Sequence, residues 1–232
     1  MLKAEFTRTL RDFTLDLSFQ VKDGEILALM GNNGSGKSTT LNIIAGLLAP
    51  DSGCIRLNST MLCEPAEGTH IAIEDRRIGY VFQNAAVFPH LSVRDNIAYG
   101  LRARNISRPE ITGRVEQMME LMHLGDLEAV KAGNLSGGQK QRTALARAIA
   151  IRPALLMMDE PFSSLDVEST IAVKALTRDI VKKMKIPCIV VTHRETDSRE
   201  IADWTMVISL GKREWEGRPP DMPRNCTVCR CQ

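Results

Sequence analysis

The chain has 232 residues, 44% hydrophobic and 25% charged, with 30 Lys and Arg against 28 Asp and Glu for a net charge of +2. That length can bury a substantial core as one domain with a subdomain, and the balance of charge excludes a broad basic face for nucleic acid. No apolar run approaches the ~20 residues that cross a bilayer, and Met1-Leu2-Lys3-Ala4-Glu5 lacks a signal-peptide core, so a soluble chain that meets a membrane only through a partner is expected.

The segments Leu2 to Arg8, Phe13 to Gln20 and Cys54 to Asn58 read as an antiparallel sheet. Phe13, Leu15, Leu17 and Phe19 alternate with polar residues, the period of a half-buried strand, which assigns Phe13 to the core. Glu25-Ile26-Leu27-Ala28-Leu29-Met30 is a short apolar run and reads as a buried parallel strand. It ends at Gly31-Asn32-Asn33-Gly34-Ser35-Gly36-Lys37-Ser38-Thr39, a phosphate cradle of the form G-x-x-x-x-G-K-[ST]. Its glycines let successive backbone N–H groups turn inward around phosphate oxygens. Lys37 supplies a cation for the β- and γ-phosphates of a nucleoside triphosphate, and Ser38 a hydroxyl for Mg²⁺. A helix predicted over Thr39 to Leu48 puts the anion at its positive end.

Helical patterns dominate from Asn84 to Leu135. Ser92 is followed by Asp95, and Ser107-Arg108-Pro109-Glu110 predicts a capping box with proline in the first turn. Ile111, Val115, Met118, Met119 and Met122 follow at helical spacing and are expected in the core. Leu135-Ser136-Gly137-Gly138-Gln139 starts the next helix, with Ser136 and Gln139 as a capping box. Capping leaves Gly137 and Gly138 unexplained, and close approach of a ligand to the backbone accounts for both. That helix runs through Ala144, Leu145, Ala148 and Ile149 and stops near Pro153. Two further apolar strands follow: Ala154 to Met158, ending in Asp159 and Glu160, and Cys188 to Thr192, ending in His193.

The cradle together with Leu135-Ser136-Gly137-Gly138-Gln139 and the adjoining Lys140-Gln141-Arg142 makes the chain resemble the ATPase subunit of an ATP-binding cassette (ABC) system, from about Leu2 to Leu210. The fold the resemblance implies is α/β, a P-loop NTPase core with an N-terminal antiparallel β-subdomain and a helical subdomain at about 84–140, all within an ATPase domain at 1–218. It implies ATP and Mg²⁺ as ligands. Residues 31 to 39 would cradle the phosphates, and Ser38, Asp159 and Gln83 would serve the Mg²⁺. Glu160 would act as general base on the attacking water. Gln83, after Ile78-Gly79-Tyr80-Val81-Phe82, matches the loop that also senses a membrane partner. His193 matches the switch histidine that reaches the γ-phosphate. Ser136, Gly137, Gly138 and Gln139 would contact the γ-phosphate held by a second copy, in a head-to-tail dimer. Asp166, closing Ser163-Ser164-Leu165-Asp166, belongs to the loop that communicates across that dimer. One departure is Arg194, where the family usually has an acid, followed by the polar Glu195-Thr196-Asp197-Ser198; another is the aromatic that would stack on adenine, for which Phe13 and Phe6 are the candidates, the alternation favouring the core for Phe13 and leaving stacking as the alternative.

The chain resembles neither exporters, which fuse membrane helices to the cassette, nor chromosome-maintenance ATPases, which insert a long coiled coil, nor two-cassette translation proteins. A stand-alone importer subunit is the reading that remains. Residues 88–100 resemble oxyanion, iron and polyamine importers, and 67–83 resemble molybdate-type ATPases. The implied cargo is an oxyanion such as molybdate or tungstate, with sulfate, iron(III) or polyamine import, or a soluble ATPase outside transport, as alternatives. The implied partners are a second copy, permease subunits and, indirectly, a solute-binding protein, at the cytoplasmic face of the membrane. Cys54, Cys63 and Cys188 are expected as free thiols. An irregular tail at 219–232 carries Cys226, Cys229 and Cys231. It is expected to be flexible, with metal binding the alternative, although three ligands do not complete a tetrahedral zinc site.

Overall fold

In strand β1 (Leu2–Thr9), Leu2, Ala4 and Phe6 are buried while Lys3 and Glu5 face solvent, and β2 (Thr14–Val21) alternates the same way. The two pair antiparallel from Leu2 opposite Val21 to Thr9 opposite Thr14, so their apolar faces coincide. This computed structural model describes residues 1–223. β3 (Ile26–Met30) is buried on both faces. Helix α1 (Lys37–Ala45), β4 (Ser52–Leu57), β5 (Thr60–Glu64), β6 (Thr69–His70) and β7 (Ile78–Val81) follow. Then come α2 (Val93–Ala103), α3 (Arg108–Leu121), α4 (Gly137–Ala150), β8 (Leu155–Asp159), α5 (Val167–Met184), β9 (Cys188–Thr192), α6 (Glu195–Ile201), β10 (Trp204–Ser209) and β11 (Lys212–Gly217).

The strands form one sheet in the order β6-β5-β4-β1-β2-β11-β10-β3-β9-β8-β7. Its first part is antiparallel, while β10, β3, β9, β8 and β7 run parallel. The two parts meet where β11 touches β2 through Lys212 and Asp16. Alternate residues of each parallel strand feed two cores. Ile26, Ala28 and Met30 pack with α2 to α5, and Leu27 and Leu29 pack with α1 and the antiparallel part. At about 1.5–3 kcal/mol for each fully buried Leu, Ile, Val or Met, these strands are stiff supports for whatever hangs from their ends. The carboxyl ends of β3, β7, β8 and β9 lead to Gly31, Gln83, Glu160 and His193, the edge where open α/β sheets bind ligands.

Val115, Met118, Met119 and Met122 lie in the core, as the helical spacing predicts, with Ile111 packed against it. Three expectations are corrected. Phe13 is half-buried and lies outside both cores, because the Leu10 N–H closes a turn on the Phe13 carbonyl at 2.9 Å and the strand begins only at Thr14. Ser107 is the N-cap of α3 but its side chain makes no capping bond, and Glu110 pairs with Arg114 at 2.6 Å instead. α1 starts at Lys37 rather than Thr39 and stops at Ala45, because Gly46 turns left-handed at φ 88° and closes it. Past β11, Pro219–Asp221 form a short 3₁₀ turn and Met222 is buried in the core. Cys226, Cys229 and Cys231 lie outside the described residues.

Candidate functional site

The loop after β3 closes on its own lysine. Lys37 Nζ donates to the carbonyls of Gly31 (2.7 Å) and Asn32 (2.9 Å). Burial pushes its pKa below the usual lysine value, against the opposing pull of Glu160 and Asp159. Gly36 caps α1 with φ 107°, and a Cβ there would stand 2.8 Å from Leu15 Cδ1, so only glycine fits that turn. Ser35 Oγ is buried without a hydrogen-bond partner among the described residues, a polar group that a phosphate in the cradle would satisfy.

Asp159 ends β8 close to the Ser38 hydroxyl, which favours its charged form. Burial first, and then the neighbouring Glu160 charge, raise the Asp159 pKa, while Ser38 and Lys37 oppose them. A hydroxyl and a desolvated carboxylate are hard oxygen donors, the chemistry Mg²⁺ takes together with phosphates and water. No group of three or more His, Cys, Asp and Glu that could hold a metal exists among the described residues, so such an ion would need the phosphates to complete its shell. The donor set therefore fits Mg²⁺ bound with a nucleotide.

Glu160 sits at φ 44° with its N–H on the Val191 carbonyl (3.0 Å), which ties the end of β8 to β9. A non-glycine residue held left-handed is the strain found at functional turns. Gln83 Nε2 donates to Glu160 Oε2 at 3.2 Å, and His193 Nδ1 lies 3.3 Å from Glu160 Oε1. Three strand ends thus bring Gln83, Glu160 and His193 together. With Gly34, Gly36, Lys37, Ser38 and Thr39 they line an open cleft of about 560 Å³.

Arg11, Asp12 and Phe13 line the same cleft. The alternation that runs through Phe13 favours the core over a place at the nucleotide, because it continues one residue beyond the strand. The sharper signal was the polar Arg11-Asp12 pair just before it, which marks a turn rather than a strand.

Ser136 to Gln139 and Asp166 are not in that cleft. The Ser136 box forms in full: its N–H donates to Gln139 Oε1 (2.9 Å), and Ser136 Oγ accepts from the Gln139 N–H (3.3 Å). Asp166 caps α5, accepting from the Ser169 N–H and hydroxyl, each at 2.8 Å. The Ser169 N–H holds its carboxyl below the usual aspartate value. The two helix starts touch. A Cβ at Gly138 would stand 2.5 Å from Ser169 Oγ and 2.9 Å from its Cβ, whereas one at Gly137 would make ordinary contacts with Ser164 and Leu165. A packing reason for glycine at 138 stands beside the ligand reading: Ser169 of α5 fills the space a side chain there would take.

The model of the family described as ABC transporter matches residues 14–163. Over 206 residues the chain is 44% identical to the sulfate/thiosulfate import ATP-binding protein CysA of Mesostigma viride, covering 89% of this chain and 58% of that protein. It spans 54–60% of the length of such sulfate/thiosulfate import relatives. Among solved structures, cbiO1 of Clostridium perfringens, part of the ABC transporter complex cbiONQ, is similar with a TM-score of 0.85 and 27% identity, over 99% of this chain and 93% of that one. The ATP-binding cassette MJ0796, a dimer in a post-hydrolysis state with ADP and Pi, is similar with a TM-score of 0.78 and 27% identity, over 94% and 99%.

Proposed function

This chain belongs to the ABC transporter family, and from that premise we propose that it is the ATP-hydrolysing subunit of an importer of small oxyanions. The observation that carries the reading is the convergence of Gln83 and His193 on Glu160, at 3.2 and 3.3 Å, at the mouth of a cleft floored by Lys37 and Ser38. Bound ATP would draw the Lys37 ammonium from the loop carbonyls onto its β- and γ-phosphates, where a buried cation stabilises growing negative charge best. Ser38 and Asp159 would hold Mg²⁺, which supplies charge neutralisation between those phosphates. Glu160 accepts the proton of the attacking water as the water oxygen bonds to the γ-phosphorus and the bond from that phosphorus to the β–γ bridging oxygen breaks, leaving ADP and phosphate, while Gln83 and His193 orient carboxylate and water. Phe13, placed over Gly36 at the cleft rim, is the candidate to stack on adenine.

Ser136 to Gln139 lie outside this cleft in a capped helix start at which Ser136 and Gly137 are exposed, Gln139 half-buried and Gly138 buried. In the proposed working unit two copies face each other, each covering the other's ATP with this segment, as in a head-to-tail dimer. No helix among the described residues is long and apolar enough to cross a membrane, so coupling to transport would run through permease subunits that hold the chain at the membrane. Sulfate or thiosulfate is the first cargo to test, ahead of molybdate or tungstate. The sulfate/thiosulfate likeness extends over 206 residues, whereas the molybdate resemblance rests on residues 67–83 and the compact N-terminus.

The test is ATP hydrolysis by the chain in liposomes with the permease that co-purifies from native membranes, given binding protein loaded with sulfate, thiosulfate, molybdate or tungstate. Stimulation by one oxyanion is expected and names the cargo. Hydrolysis that ignores all four, with no membrane protein co-purifying, would move the assignment to a soluble ABC ATPase.

A further inference from the structure

Lys174 sits on the inward stripe of α5 with Thr170, Val173, Thr177 and Val181, and is only 6% exposed. Its Nζ lies 2.7 Å from Oδ1 of Asp197 on α6, itself 2% exposed, and 2.6 Å from Oε2 of Glu200. The same ammonium stands 5.4 Å over the ring of Phe162, two residues past Glu160. On the other side, Asp197 Oδ2 accepts from the Thr192 hydroxyl at 3.0 Å, and Thr192 Oγ1 accepts from the Arg194 N–H at 3.1 Å. Thr192 and Arg194 flank His193. One run of contacts therefore joins the segment after Glu160 to the turn that carries His193, through a charge pair set in the core. Taking two charges out of water consumes most of what their attraction returns, and an apolar pair of similar size would stabilise the fold as well or better. Stability alone does not account for the pair.

We propose that Lys174 and Asp197 are positioning residues for hydrolysis, which hold the His193 turn at its working distance from Glu160. This rests on the reading of Glu160 and His193 as the hydrolytic pair. It also gives the departure at Arg194 a place: the turn uses the backbone N–H of that residue, which any non-proline residue supplies.

The experiment compares the full chain with Lys174→Met, Asp197→Leu, the double variant, Lys174→Arg, Thr192→Val and His193→Ala, by ATPase kinetics, thermal melting and binding of a fluorescent ATP analogue. Lys174→Met leaves the buried Asp197 carboxylate without its cation, and Asp197→Leu leaves Lys174 with Glu200 alone; both are expected to lower Tm and kcat, the first more. The double variant should recover Tm, while its kcat stays about 10- to 100-fold low, the cost of a misplaced group, with KM and analogue affinity unchanged. Lys174→Arg should keep most of kcat. Thr192→Val, which leaves the ion pair intact, should lower kcat alone. A double variant whose kcat returns with its Tm, or a Thr192→Val chain with unaltered kcat, would overturn the proposal. If His193→Ala hydrolyses ATP at the normal rate, the hydrolytic pair itself is misassigned and the positioning role falls with it. An inactive His193→Ala beside a fully active double variant removes the positioning role only.

Discussion

The cradle and the Ser136 segment sit in one chain but are held by different means. Lys37, Asp159, Glu160 and His193 hang from the ends of buried strands and meet residues far away in sequence, as Glu160 meets Gln83 and the Val191 carbonyl. The charges of Lys37 and Asp159 are desolvated, and their pKa values move accordingly. Ser136 and Asp166 are held by bonds to residues three positions on, at solvent-exposed helix starts. The cradle is thus preorganised by tertiary structure and carries the electrostatic cost of burying charge. The other cluster is built by local capping, needs little of the rest of the fold, and stays open to a second copy.

The largest effect expected on the cradle side is from Glu160→Gln. The amide keeps the size of the side chain but cannot take a proton, so kcat should fall about 10²- to 10⁴-fold while ATP still binds; unchanged turnover would refute Glu160 as the base. On the other side, Gly138→Val should force α4 away from α5, since a Cβ there meets Ser169 at 2.5 Å, at a cost of about 1–3 kcal/mol in denaturant unfolding. Ser169→Gly in the same chain should restore most of that loss, and no restoration would place the clash elsewhere.

A smaller effect separates two serines that look alike in sequence. Ser136→Ala should cost about 1 kcal/mol, the worth of a working N-cap. Ser107→Ala should leave urea unfolding almost unchanged, because that side chain makes no capping bond. Equal losses would contradict the difference between the two caps.

Asp159→Asn sharpens the comparison with the opposite sign. Its folded pKa lies above the ordinary 3.8, so between those two values the folded state holds the proton more tightly than the unfolded chain. That difference lowers stability as pH rises through the window, and the loss persists at neutral pH. The amide removes it. Without nucleotide, Asp159→Asn should melt slightly higher than the parent chain at pH 7, with the gap closing as pH falls below 3.8, while hydrolysis is lost. A lower Tm at pH 7 would show that the Ser38 hydroxyl and the Lys37 charge outweigh burial.

Much of this arrangement was legible in the residues alone. The apolar runs before Gly31, Glu160 and His193 are buried strands, a helix follows the cradle although it starts two residues earlier than its pattern predicts, and Ser136 with Gln139 forms its capping box. These features depend on side-chain period and on hydrogen bonds a few residues long, which a sequence carries within a short window. Other features were not legible. Phe13 continues the alternation of β2 yet lines the cleft, because the turn from Leu10 overrides the period. Gly138 is small for Ser169, and Lys174, a lysine on an otherwise inward helical stripe, is there for Asp197 and Glu200. The meeting of Gln83, Glu160 and His193 follows from strand order, which sets β7 beside β8 and β8 beside β9. By itself the sequence determined the elements and the chemistry placed at their ends. Only the tertiary structure decided which ends meet, because contacts between distant segments depend on how strands pair and helices pack, and no local pattern records that.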